Sequence, residues 1–411
     1  MKNKEALYGL PNEVKFCKRC VISNQRPSST IEFKSNIKEK KEVIDFDDEG
    51  ICSACRYNDD KEVNIDWKMR EEILWKLCDK FRSKDGSYDV IIPGSGGKDS
   101  AYTSHILKYK YGMNPLTVTW APHLYTDIGW KNFSEWMHTG GLDNILYTPN
   151  GKLHRLLTKL AFHNLLHPFQ PFIIGQRVIG PAMAARYGVK LVMYGENQAE
   201  YGNKVDENNI PTMNSKFFSV DDPMEMSLGG VSMKDIIKDY GFSKADFAPY
   251  IPFSPSDLTA KGVEVHYLGY YLKWDPQECY YYAVENTGFS ANTERTEGSY
   301  SKYSSIDDKI DPFHYFTTLI KFGIGRATYD AAQEVRNEKI TREEGVLLAK
   351  KFDQEFPFKY YKEFLEYIDT SDEEFKQIVD KFRSPHLWGK DSHGKWKLRH
   401  TVSLDGLDDI N

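Results

Sequence analysis

"YDVIIPGSGGKDSAYTSHILKYKYG", residues 88–112, is the stretch that decides the fold. An apolar run, Val90-Ile91-Ile92, ends at Pro93-Gly94, and an amphipathic stretch after the glycines stops at Gly112. That order reads as buried strand, glycine-rich loop and helix. A loop so placed lies at the carboxyl end of a sheet strand, where open α/β sheets bind ligands. Gly94, Gly96 and Gly97 permit close backbone approach and positive φ angles. A helix opening at Lys98 aims free N–H groups and its dipole at an anion, and Ser95 and Ser100 add hydroxyl donors. The loop is not a Walker P-loop, because G-x-x-x-x-G-K-[ST] would require Gly at 92 and Ser or Thr at 99, where the chain has Ile92 and Asp99. Phosphate repels a carboxylate unless a cation stands between them, so Asp99 predicts Mg²⁺ bridging it to phosphates.

The same alternation continues outward. "PLTVTW" (115–120), "NILYTP" (144–149) and "KLVMYGEN" (190–197) read as strands, with helices over 67–82, 127–141, 151–166 and 176–188. Strands alternating with helices predict a parallel α/β sheet. The pattern degrades over 203–262, an expected insertion, and "VEVHYLGYYLKW" (263–274) reads as a further strand or hairpin arm. Residues 276–380 are mainly helical by pattern, and the tail from 384 is polar and irregular. The expected domains are a cysteine module (1–62), an α/β domain (63–275) and a helical C-terminal region (276–411) that completes the active site.

Four of the six cysteines form two pairs, Cys17/Cys20 and Cys52/Cys55, with 31 residues between Cys20 and Cys52. Two sulfurs two residues apart can grip one ion from a tight turn, and two such turns complete a tetrahedral four-cysteine site. The intervening "VIDFDDEG" would fold back as a ribbon. The expectation is a structural zinc, with an iron–sulfur cluster as the other occupant that four cysteines permit. Cys78 and Cys279 lie in amphipathic stretches and read as core.

Net charge is −6, which disfavours a broad nucleic-acid surface. No apolar run approaches the roughly 20 residues of a membrane span, and no secretory signal is visible, so a cytoplasmic protein is expected.

Ser95-Gly96-Gly97-Lys98-Asp99-Ser100 resembles the S-G-G-x-D-S loop of the N-type ATP pyrophosphatases, the PP-loop superfamily. The resemblance implies an adenine nucleotide alpha hydrolase-like fold that splits ATP between its α and β phosphates and holds the departing pyrophosphate on the loop, with Pro93 to Ser100 binding nucleotide. The cysteine pairs, the loop, "YGENQAEYG" (194–202), "YLGYYLKWDPQE" (267–278) and "KFGIGRATYDAAQEVRNEKITREEG" (321–345) are together similar to the N-acetyl sugar amidotransferases of the WbpG/PseA type. That likeness implies adenylation of an acetamido oxygen, then attack by ammonia to give an acetamidino sugar, in surface-polysaccharide or nonulosonic-acid synthesis. A tRNA-thiolating PP-loop enzyme is the alternative, although such enzymes usually need a catalytic cysteine and Cys279 stands alone. A non-catalytic nucleotide-binding protein is a third reading.

Glu196, Asn197 and Glu200 follow the fourth strand and are expected on the site rim, contacting Mg²⁺ or substrate. Lys321 and Arg326, in "LIKFGIGRAT", are candidates to neutralise pyrophosphate. Asp307 and Asp308 read as a capped, solvated turn before a metal pair, and Trp274 and Asp275 read as core and helix cap at least as readily as a sugar contact. Glutamine hydrolysis needs an activated nucleophile, and position 2 is Lys, so ammonia is expected from solution or from a separate glutaminase; the family resemblance implies a glutaminase and cyclase pair.

Overall fold

The apolar runs at 90–92, 115–120 and 191–193 are buried on both faces, as inner strands of a parallel sheet must be, while the run at 143–147 lies at the sheet edge and is half-buried to exposed. In the computed structural model, which describes residues 5–196, 198–204, 209–404 and 408–410, helices α1 (Ser53–Val63) and α2 (Trp67–Phe81) precede strand β1 (Val90–Pro93). There follow α3 (Lys98–Tyr109), β2 (Pro115–Trp120), α4 (Asp127–His138), β3 (Asp143–Tyr147), α5 (Gly151–Leu165), α6 (Gln170–Tyr187) and β4 (Leu191–Tyr194). A fifth strand, Glu264–Tyr267, pairs with β4, and the sheet order is β3-β2-β1-β4 and then this strand, all parallel. The order reverses between β1 and β4. That is the crevice where doubly wound sheets bind ligands.

The two-residue period of the strands divides the interior. Ile91 and Val192 face a core built with α5 and α6, while Val90, Ile92, Leu191 and Met193 face a second core with Leu74 and Cys78 of α2 and Leu107 of α3. Each of these side chains is fully buried and contributes about 1.5–3 kcal/mol. Cys279 joins the second core.

Several expectations are corrected. Helix α6 begins at Gln170 and not at 176: Pro171 sits in its first turn, where its missing N–H costs nothing. The run 203–262 is no insertion into a finished domain. It is the crossover between two parallel neighbours, β4 and Glu264–Tyr267, and carries a small hairpin and the helices Met233–Tyr240 and Pro255–Ala260. The last strand is four residues long, followed at once by a short helix, Leu268–Tyr271. The tail beyond 384 is not irregular: Trp388–Lys390 pairs with Trp396–Leu398, and His400–Val402 with Asp408–Ile410. Trp388 is buried and donates its indole N–H to the Ile320 carbonyl (2.8 Å).

The expected divisions at 62 and 275 do not divide the core. One hydrophobic cluster runs from Leu10 and Phe33 through the sheet to Phe313 and Leu398. The cysteine module shares another with Ile324, Ala331, Val346 and Ala349, on the helices Arg326–Arg336 and Arg342–Phe352 and just ahead of them. The first and last parts of the chain touch: the Leu7 N–H donates to Ser384 Oγ (3.0 Å), and His386 Nε2 pairs with Gln25 Oε1 (3.0 Å).

One buried cation ties these parts together. Lys61, on α1, is 1% exposed and donates from Nζ to Glu200 Oε2 (3.2 Å), the Trp274 carbonyl (3.0 Å) and Asn337 Oδ1 (3.3 Å). Glu200→Ala leaves that ammonium buried without its counter-charge, and a loss of about 3–5 kcal/mol in urea unfolding is expected. The Lys61→Met/Glu200→Leu double variant should lose less, because no charge is stranded. A loss under about 1 kcal/mol for Glu200→Ala would show that the pair does not hold the parts together.

Candidate functional site

Each glycine of the loop has its own reason. Gly96 takes φ +83°, and a Cβ there would come within 2.8 Å of the Phe133 Cα on α4. Gly94 is packed against α3, where a Cβ would fall 2.2 Å from the Ser100 Cβ. Gly97 differs from expectation. Its φ is −67°, and the nearest atom to an added Cβ is Ser95 Oγ at 3.7 Å. The space over Gly97 is empty of protein and opens into two cavities. Gly97 caps α3, so the N–H groups of Lys98, Asp99 and Ser100 form its open first turn.

Three cavities meet at Asp99. One of about 440 Å³ lies over the ends of β1, β2 and β4, between the loop and α6, with Val118, Trp120, Ile173 and Ile179 as its apolar wall. A second, about 180 Å³, is bounded by the loop from Ser95 to Asp99, with Gly129, Asn132, Asp307 and Arg326 opposite. The third, about 420 Å³, is polar and carries Arg26, Lys98, Glu196, His314, Arg326 and Glu334.

The charges around Asp99 are tightly interlocked. Lys98 Nζ donates to Asp99 Oδ2 at 2.6 Å, leaving Asp99 Oδ1 buried with no partner. Glu196 Oε2 is likewise buried, and among the described residues neither of these two oxygens has a partner. Burial, with repulsion from Asp99, pushes the Glu196 carboxyl up to about 8 against the pull of Lys98. Burial opposes the Lys98 charge, but Asp99 and Glu196 outweigh it and hold the ammonium above its ordinary value. Two unpartnered carboxylate oxygens beside a phosphate-type loop fit Mg²⁺, which takes one or two carboxylates and completes its shell with phosphate and water. Arg326 opens the helix Arg326–Arg336, pairs with Asp330 (2.9 Å), contacts the Tyr315 hydroxyl, and faces both the 180 Å³ and the 420 Å³ cavities.

The remaining candidates divide. Pro93, Gly94, Ser95 and Ser100 line the 440 Å³ cavity. Asn197 lies outside the described residues. Glu200 is not on the rim; its carboxylate is consumed by Lys61, and burial raises its pKa. Lys321 is not at the loop. It sits two turns beyond His314 and donates to the Leu165 carbonyl at the end of α5 (3.0 Å). Asp308 forms the expected capped turn, but a buried one, accepting from Ile310 N–H (2.9 Å) and pairing with His123 Nδ1 (2.8 Å). Asp307 lines the 180 Å³ cavity against Ser95, and burial raises its carboxyl. Trp274 is core and Asp275 caps the helix Pro276–Thr287, although Asp275 also reaches the polar cavity. Cys279 is buried beside the charged cluster, and burial raises its thiol, the opposite of what an attacking thiolate needs. Gln176 and Arg177 on α6 escaped notice although both line the 440 Å³ cavity. The signal was there: they are the polar pair inside the apolar run 171–185.

The four cysteine sulfurs of the N-terminal module lie within 4.8 Å of one another, with Cys17–Cys55 at 3.8 Å and Cys20–Cys52 at 3.7 Å. A tetrahedron with metal–sulfur bonds near 2.3 Å has edges of about 3.8 Å. The cage therefore fits one ion and is too small for a cluster with bridging sulfides of its own. Backbone N–H groups of Arg19 and Cys52 point at Cys17 Sγ, each at 3.4 Å, as a thiolate ligand requires.

Residues 297–402 match the family described as "LPS biosynthesis protein WbpG-like, C-terminal domain". An uncharacterized protein of Methanocaldococcus jannaschii is 36% identical over 81 residues, 19% of this chain, so the chain spans 27% of the length of that curated relative. Among solved structures, the NH3-dependent NAD synthetase of Campylobacter jejuni shares 15% identity at TM-score 0.26, over 31% of this chain and 56% of that one. The NMN synthetase of Francisella tularensis shares 12% at TM-score 0.28, over 67% and 94%. At these scores neither superposition bears on individual residues. The sheet order, the glycine loop and the switch-point crevice define a parallel, doubly wound α/β protein with its cavities at the switch point. Joined to that sheet, residues 297–402 are similar to a WbpG-like C-terminal domain.

Lys321 provides a test by pH. Burial, with repulsion from Lys41, pushes its ammonium down to about 7 from an ordinary 10.5. Between these values the unfolded chain binds more protons than the folded one, so wild-type stability rises with pH relative to Lys321→Met. Urea melts at the two ends of that window measure this. A stability difference that does not move toward the wild type as pH rises would refute the buried-ammonium assignment.

Proposed function

We propose that the protein adenylates the acetamido oxygen of an N-acetyl sugar and exchanges it for ammonia, giving an acetamidino sugar, AMP and pyrophosphate. One observation carries this reading: a nucleotide-sized, a pyrophosphate-sized and a more polar cavity of about 420 Å³ meet at Asp99, and the WbpG-like residues 297–402 wall the last with His314, Tyr315, Arg326 and Asp330. Adenosine takes the 440 Å³ cavity against Val118, Trp120 and Ile179. The β and γ phosphates take the small cavity, where the first-turn N–H groups of α3, Lys98 and Arg326 receive their charge. The sugar takes the polar cavity.

In the first step the amide oxygen attacks the α-phosphorus and the bond to the β-phosphate breaks, so pyrophosphate leaves with the electron pair. In the second step ammonia adds to the imidate carbon, the carbon–oxygen bond breaks, and AMP departs, leaving a protonated amidine. Bound Mg²⁺ would supply charge neutralisation between Asp99, Glu196 and the phosphates. The chain's own work is alignment and fixed charge: Lys98 and Arg326 face both the phosphate and the sugar cavities and meet negative charge as it builds on the leaving pyrophosphate. The four-cysteine cage is structural, and its ion is zinc. Elemental analysis should return about one zinc per chain, and iron in its place would refute that assignment.

Incubation with ATP, Mg²⁺, ammonium and a panel of N-acetyl sugars, read by mass spectrometry, tests the reaction. Loss of one mass unit from the sugar, matched to AMP and pyrophosphate, is expected, and no ATP cleavage with any sugar would refute it. Asp99→Asn should cut turnover at least about 100-fold with the fold intact. Glutamine should not replace ammonium without a partner glutaminase, because Cys78 and Cys279 are buried and the other four cysteines are caged.

A further inference from the structure

The walls of the 420 Å³ cavity carry four permanent cations: Arg26, Lys98, Arg326 and Lys339. Three have a carboxylate: Lys98 has Asp99 (2.6 Å), Arg326 has Asp330 (2.9 Å) and Lys339 has Asp275 (3.2 Å). Among the described residues, Arg26 has none. It is only 7% exposed. One terminal nitrogen donates to the Pro27 carbonyl (3.2 Å) and to Asn203 Oδ1 (3.4 Å), and among the described residues no acceptor meets its Nε or its other terminal nitrogen. The guanidinium lies 6.0 Å from the ring centre of Tyr329, another cavity residue, and the other cation acting on it, Arg336, repels it. A guanidinium stays charged in proteins, and one buried without a counter-charge is costly unless something else supplies it.

The position of Arg26 is set by the cysteine module. Its N–H donates to the Ser23 carbonyl (3.2 Å), three residues after Cys20, and its carbonyl accepts from Ile44 N–H (2.9 Å). The adjacent Gln25 is buried and held by His386 (3.0 Å). The fork is thus fixed from both ends of the chain and faces the 420 Å³ cavity, where no carboxylate among the described residues pairs with it.

Resting on the reading of this cavity as the sugar site, we infer that Arg26 recognises an anionic group of the acceptor, a carboxylate or a phosphate, and that the four-cysteine module delivers this residue to the cleft. The N-terminal module is then part of the substrate site and sets specificity for charged over neutral N-acetyl sugars. Arginine suits the task because its planar fork matches both oxyanions in two-point contact.

Calorimetric titration of the full chain with three probes tests this: N-acetylneuraminic acid for the carboxylate, UDP-N-acetylglucosamine for the phosphate, and N-acetylglucosamine as the neutral control. One anionic probe is expected to bind at least about tenfold tighter than the neutral sugar, and Arg26→Gln to remove that advantage while ATP affinity is unchanged. Whichever anion responds identifies the source. Arg26→Lys, which keeps the charge but loses the fork, should fall between, and with the wild-type comparison it decides the matter if Arg26→Gln does not fold. Equal binding of all three probes, no measurable binding of either anion, or undiminished anion binding by Arg26→Gln would overturn the inference. So would a fall in ATP affinity in its place, which would put the guanidinium on the nucleotide. Binding is read without ammonium or turnover, so failure of amidine formation leaves this result standing.

Discussion

The architecture depends on a buried ammonium that four segments must surround. Lys61 reaches from the cysteine module to a carboxylate beyond β4, to a carbonyl beyond the last sheet strand and to an amide at the end of the helix Arg326–Arg336. Arg336 adds a second tie from that helix to the Glu200 carbonyl (3.1 Å). An ion pair so deeply buried is not a strong source of net stability, since desolvation offsets much of the attraction. Its effect is on arrangement: in this packing three segments distant in sequence converge on one charge. The cavities around Asp99 lie between those same regions, so the geometry of the site inherits its precision from a contact that touches no ligand.

The loop shows a related use of unsatisfied charge. Asp99 and Glu196 each keep one buried oxygen without a partner, and Glu196 is held partly protonated near neutrality. In a folded protein such groups are rare and costly. Their clustering at the switch point, beside Lys98 and a helix N-terminus, makes this corner of the sheet the least self-sufficient part of the molecule, and that is the property a binding site for a charged ligand has.

What the sequence made legible follows from local rules. The strand, loop and helix at 88–112 could be read because hydrophobic period and glycine placement are local signals, and the four-cysteine cage because its ligands come in two short-range pairs. Glu200 and Lys321 misled because a charge in sequence says nothing about which partner will reach it; one is consumed by Lys61 and the other by the Leu165 carbonyl. Arg26 was invisible for the converse reason: nothing in its neighbours tells that it ends at a cavity wall built from distant segments. The crossover 203–262 reads as an insertion in sequence because its helices are short and irregular, while its topological role appears only in the pairing of the strand Glu264–Tyr267 with β4.

The contact between the two ends of the chain bears on the order of events during synthesis. Ser384 and His386 pack on Leu7 and Gln25, and Trp388 and Leu398 complete the core that also holds Leu10 and Phe33. These hydrogen bonds join positions 377 and 361 apart in the sequence. Contacts at such sequence separation close late and expose hydrophobic surface until they do. A metal ion captured early by the four cysteines would hold the N-terminal module in its own local fold through that interval, so that metal supply would govern the yield of folded chain as well as its final stability.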